Sequence, residues 1–144
     1  MLECYKAYLQ VLETFSKMRS DGNVYERLRQ LAVQCFSRLI ERHPNFNFRV
    51  NIMQAIVFQI SSKDLVVRQM ATKTVKSLLR REDNGLLEFK LDIVKELHKN
   101  IKAQAHIRFD PSLLDCLVLH EIIVDEGKAK AVDASSKKSA LIHD

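Results

Sequence analysis

The side chains able to do acid–base, nucleophilic or metal chemistry are few and scattered. Five histidines (His43, His98, His106, His120, His143) and three cysteines (Cys4, Cys35, Cys116) are spread over 144 residues. They complete no zinc-ligand pattern, and there is no C-x-x-C pair. His120-Glu121 begins like H-E-x-x-H, but Val124 stands where the second histidine belongs. Three isolated glycines, Gly22, Gly85 and Gly127, cannot build a phosphate-cradling loop. Carboxylates lie among Lys and Arg on stretches that read as helix surface, which suits a solvated face better than an acid–base pair. A hydrolytic or transfer site needs a nucleophile, a base and an oxyanion donor together. No such set is legible, so the expectation is a non-enzyme with no metal and no cofactor.

What the polar residues do offer is positive charge. The chain carries 23 Lys+Arg against 18 Asp+Glu, a net charge of +5. Residues 48–84 hold seven basic and three acidic residues, a local excess of +4 that tolerates an anionic neighbour such as RNA. Two basic stripes have helical spacing: Lys73, Lys76 and Arg80, then Lys95, Lys99 and Lys102. They are the candidate contacts to RNA backbone phosphates, although a solvated helix face is the commoner use of surface Lys and Arg. Neither stripe carries an aromatic on which a base could stack, so sequence readout is not expected of them.

Helices must position these residues. Only three Gly and two Pro occur, which disfavours a turn-rich strand fold. Apolar residues recur at three- and four-residue steps over residues 2–18 (Leu2, Tyr5, Leu9, Leu12, Phe15) and 24–42 (Tyr25, Leu28, Leu31, Ala32, Cys35, Leu39, Ile40). Further helices are predicted over roughly 48–61, with Asn47 as its cap, 64–81, and 86–104, with Leu87, Leu91, Val94, Leu97 and Ile101. Ser20–Asn23 reads as a turn, His43-Pro44 as a stop, and Asn84-Gly85 as a left-handed stop. Asp110-Pro111 starts a sixth helix running to about Val124. That helix is apolar almost all round, so it should bury two faces, with Leu119, Ile122 and Ile123 as candidate partner contacts. The expected organisation is a helical segment over 1–124 and a polar, mostly disordered tail over 125–144.

No run of about 18 apolar residues exists, so no membrane span is expected. The N-terminus lacks signal-peptide features, and the odd cysteine count points to a reducing compartment, with the cysteines as small core residues. The helix pairs begin near residues 2, 48 and 86, steps of about 46 and 38 that bracket the HEAT/armadillo period. The string Asp64-Leu65-Val66-Val67-Arg68-Gln69-Met70-Ala71 is similar to the second helix of a HEAT repeat, with Arg68 in a structural role and Ala71 at a close helix approach. The predicted fold is therefore all-α, a HEAT/armadillo-like helical solenoid of about three helix pairs. A compact six-helix bundle is the alternative.

The block His43-Pro44-Asn45-Phe46-Asn47-Phe48-Arg49-Val50-Asn51-Ile52-Met53 resembles the "HPHFNF…NI" block of the nucleolar complex protein 3 family. The likeness continues through the Leu78–Gly85 turn region into Ile107-Arg108-Phe109-Asp110-Pro111, and it spans about residues 2–124. It implies the early part of that family's conserved region. It also implies a non-catalytic role in large-subunit pre-ribosome assembly, in the nucleolus and nucleoplasm. The implied partners are a nucleolar complex protein 2 type protein and the pre-ribosomal particle with its rRNA. A role at replication origins, hence on chromatin, is also attached to the family. The motif residues His43, Pro44, Phe46, Asn47, Phe48 and Arg49 read either as a packed inter-repeat turn or as a partner-binding knob. A generic HEAT-type adaptor in transport or signalling is the rival function.

Overall fold

The computed structural model describes residues 1–103. The sixth helix with Leu119, Ile122 and Ile123, the 125–144 tail, Cys116, and His106, His120 and His143 lie outside the described residues. The elements are α1 (Leu2–Ser16), α2 (Asn23–Arg42), α3 (Arg49–Gln59), α4 (Leu65–Arg80) and α5 (Leu87–Ala103), with a 3₁₀ turn over Asn84–Leu86. Among the described residues there are five α-helices and no strand.

Local chemistry sets the breaks. Gly22 adopts φ 137°, a value side chains disfavour, and this lets the chain reverse before α2. Arg29 fixes that turn, since its Nη1 donates to the Met18 carbonyl at 2.9 Å and the Ser20 carbonyl at 3.1 Å. α2 stops at Arg42, one residue before the His43-Pro44 step where proline disfavours the helical basin. Asp64 caps α4, with Oδ1 accepting from the Val66 N–H at 2.9 Å and the Val67 N–H at 3.4 Å.

α1 and α2 are antiparallel: Tyr8 lies beside Cys35 and Leu39, while the end of α1 meets Arg29. α2 also packs on α4 and α3, and α3 on α4 and α5. One core runs through the helices, built from Leu9, Leu12, Phe36, Ile40, Ile52, Ile56, Val75, Leu78, Phe89 and Ile93, among others. Contacts between helices recur at chain offsets of 34 to 43 residues. Tyr5 meets Phe48, 43 residues on, with ring centroids 6.1 Å apart. At the other end of the same two helices the buried Gln59 Nε2 donates to the Ser16 carbonyl at 3.1 Å, again 43 residues away. α1 and α3 thus run in the same direction. Arg49 lies over the Phe89 ring at 5.0 Å, linking α3 to α5 across 40 residues. α2 and α4 share a second row: Gln30 Nε2 donates to Asp64 Oδ2 at 3.1 Å, and Arg81 Nη1 donates to the Glu41 carbonyl at 2.6 Å.

Several sequence expectations need correction. On α2 the buried stripe is Ala32, Val33, Phe36, Ser37 and Ile40, while Tyr25 and Leu31 are exposed. On α5 it is Phe89, Ile93 and Leu97, with Leu87 and Leu91 exposed. Both helices carry two apolar stripes, and the one bearing the phenylalanine buries more area against its neighbours. Cys4 is exposed, because α1 buries only the Leu9–Leu12 side; Cys35 is half-buried. Asn47 does not cap α3. Phe48 takes the cap position at φ 65° with no side-chain cap bond, and its ring packs against the core. Asn84-Gly85 makes no left-handed stop: α4 ends at an extended Arg81, and among the described residues Gly22 is the glycine with positive φ. Arg81 instead turns the chain away by donating to α2, while Lys90 Nζ donates to its carbonyl.

Arg68 is structural, as its place in the HEAT-like string suggests: Nη1 donates to the Ser62 carbonyl at 3.2 Å across the turn before α4. A charged donor on a half-buried carbonyl is worth about 1.5 kcal/mol. Arg68→Ala is expected to lower stability in urea unfolding by about that amount. An unchanged midpoint would rule out this role.

Candidate functional site

The His43–Arg49 loop is held from several sides. Pro44 is buried, and the Phe46 N–H donates to the His43 carbonyl. The Arg49 N–H donates to the Phe46 carbonyl at 3.3 Å and Arg49 Nη1 to Asn45 Oδ1 at 3.1 Å. Tyr5 of α1 meets the Phe46 ring edge-on at 5.1 Å. Phe48 sits in the left-handed region, a conformation costing about 1–3 kcal/mol that persists only where surroundings impose it. Burial of its ring against the core imposes it here. Phe48 and Pro44 therefore serve packing. Phe46 keeps half its surface exposed, and His43 and Asn47 are exposed.

The two basic stripes are present at helical spacing. Lys73 and Arg80 are exposed on α4 and Lys76 is half-buried. Lys95, Lys99 and Lys102 are exposed on α5, where Lys95 Nζ lies 4.0 Å from Asp92 Oδ1. α4 packs on α2 and α3 whereas α5 packs chiefly on α3, so the stripes sit on helices of different rows.

A third basic group was not singled out by spacing along one stretch. Arg38 and Arg42, one turn apart on α2, share a concavity of about 280 Å³ with His43, Tyr8, Cys35 and Leu39. It forms only when α1 lies against α2, bringing Tyr8 to the arginines. The i, i+4 pair Arg38/Arg42 was the available signal, but the aromatic partner comes from 30 residues upstream of Arg38. The Tyr8 phenol is pushed above its ordinary pKa, chiefly by burial and then by the Cys35 thiol and Tyr5. A separate cleft of about 160 Å³ lies between α1 and α3 over Phe36, lined by Lys6, Gln10, Glu13, Asn51 and Ala55.

Among the described residues no three His, Cys, Asp or Glu side chains gather in a group that could hold a metal. No helix there is long and apolar enough to cross a membrane. No protein-family model matches the chain. Two curated proteins do. Nucleolar complex-associated protein 3 of Arabidopsis thaliana is 32% identical over 138 residues, which is 96% of this chain and 16% of the relative. Nucleolar complex protein 3 homolog of Danio rerio is 31% identical over 147 aligned positions, 95% of this chain and 18% of the relative. The chain thus spans about a sixth of the length of these relatives. The likeness reaches well beyond the His43–Met53 block that first suggested it, and on this ground the chain belongs to the nucleolar complex protein 3 family.

Proposed function

We propose that this chain is part of a non-catalytic nucleolar scaffold that helps assemble large-subunit pre-ribosomes. The observation that carries this reading is the similarity over nearly the whole chain to two proteins named for the nucleolar complex. The proposed partners are a nucleolar complex protein 2 type protein and pre-rRNA, in nucleolus and nucleoplasm; association with replication-origin chromatin is a secondary role of the same protein. The architecture proposed is a HEAT-like solenoid. Its support is the recurrence of α1–α3 contacts at 43 residues, the α3–α5 contact at 40, and a second row in which α2 packs on α4. Such stacking makes an extended surface rather than a closed active site. Leu119, Ile122 and Ile123 remain the proposed partner contacts.

Purification of the tagged full-length protein from nuclear extract tests this. The partner and large-subunit pre-rRNA should co-purify. Recovery of transport or signalling proteins with no rRNA would favour the generic HEAT-type adaptor instead. The α4 stripe makes at most sequence-neutral phosphate contacts. Replacing Lys73, Lys76 and Arg80 with Ala should flatten the salt dependence of RNA affinity by up to ~2–3 units of log–log slope. An unchanged slope in a titration series would assign these residues to the solvated face.

A further inference from the structure

We infer that the Arg38–Arg42–His43 concavity, with its aromatic border, is a binding site for single-stranded RNA. This rests on the pre-rRNA reading above. Three observations carry it. First, among the described residues the side chains of Arg38, Arg42 and His43 have no hydrogen-bond or ion-pair partner; Arg19, Arg27 and Arg80 have none either, but Arg38, Arg42 and His43 line one concavity together. A guanidinium left free beside a second one is poised for an oxyanion, and Arg does this with a planar fork of donors. Second, the C-terminal end of α2, which by itself disfavours an anion, is offset in part by Arg81, whose guanidinium holds the Glu41 carbonyl. Third, one aromatic, Tyr8, lines the concavity beside the cations, and two more lie near it along the chain. Tyr5 is its neighbour one turn back on α1, and Phe46, half-exposed, meets Tyr5 edge-on.

Cations beside exposed rings are what a single strand needs: phosphates pair with the arginines while bases stack on the rings. The α4 and α5 stripes offer charge alone. An acidic peptide would use the arginines but gain little from Phe46 and Tyr8, so the rings favour RNA. The concavity of about 280 Å³ accommodates one phosphate group with its sugar rather than a folded helix. The site therefore recognises backbone and any base face, without strong sequence preference.

The test is fluorescence anisotropy with labelled oligo(U) and the full-length protein. Arg38→Gln with Arg42→Gln should weaken binding about tenfold and lower the salt slope by about 1.4, or ~0.7 per lost phosphate contact on a single strand. Phe46→Ala should weaken binding by about fivefold or more, equivalent to ~1 kcal/mol of lost stacking, with the salt slope unchanged. Thermal unfolding must be preserved in the arginine variant, and Arg38→Lys with Arg42→Lys should restore the salt slope. Unaltered binding by the glutamine variant, with RNA still bound by the parent protein, would overturn this site and leave the RNA reading standing. If the parent binds no RNA, both fall. Displacement of oligo(U) by polyglutamate at equal charge concentration, with no effect of Phe46→Ala, would overturn the proposal in favour of an acidic-peptide site.

Discussion

Phe89→Ala is expected to remove about 3–5 kcal/mol of stability, the range for deleting a buried aromatic from a packed core. Phe89 is 1% exposed and stands in the middle of the buried stripe of α5. Its ring also receives the Arg49 guanidinium at 5.0 Å, a cation–π contact worth about 0.5–1 kcal/mol at a partly exposed site. Among the described residues α5 packs chiefly on α3 and only lightly on α4, so loss of this ring weakens its main contact. The loss should therefore appear twice: as a lower urea midpoint, and as protease cleavage in the Arg81–Leu86 connection under native conditions. Phe89→Leu, which keeps apolar bulk but not the ring face, should cost about 1–2 kcal/mol. A loss below about 1 kcal/mol for the alanine variant would mean that α5 is held by something other than this ring.

Asp64→Ala is expected to cost about 2–3 kcal/mol, because one carboxylate does two jobs. Oδ1 accepts from the first turn of α4, and loss of such a cap costs about 1 kcal/mol, up to about 2. Oδ2 accepts from Gln30 on α2 at 3.1 Å, a charged hydrogen bond that ties α2 to the start of α4. Asn at this position should recover most of the cap, since it ranks with Asp there. α2 and α4 are coupled through Gln30. Gln30→Ala should cost about 1 kcal/mol in the parent and nothing measurable in the Asp64→Ala background. Additive losses in that double-mutant cycle would show that the Gln30–Asp64 contact contributes nothing.

The helices were legible because apolar periodicity is strong and breaks are marked by Gly22, His43-Pro44 and Asp64. Arg68 on a carbonyl and Ala71 at a buried approach both followed from one local string, whereas the cap made by Asp64 is seen in the fold. Periodicity could not say which of two apolar stripes turns inward. On α5 the Leu87–Leu91 and Phe89–Ile93 stripes both fit a helix, and the choice depends on the α3 surface that meets it. Caps failed where tertiary contacts competed with local rules. Phe48 displaced Asn47 because ring burial outweighs one side-chain cap, and Arg81 replaced the Asn84-Gly85 stop by reaching across 40 residues to Glu41. The same limit applies to the candidate sites. The lysine stripes lie on single helices and could be read directly. The Arg38–Arg42 concavity needs Tyr8 from another helix and so exists only in the fold.

The proposed role of this protein is in large-subunit pre-ribosome assembly. Conditional depletion of the full-length protein, followed by quantification of pre-rRNA species, tests it most directly. Large-subunit precursors should accumulate unprocessed and free large subunits should fall, while small-subunit precursors stay near normal. Re-expression should restore both large-subunit readouts. Unchanged large-subunit precursor and subunit levels after complete depletion would contradict the account.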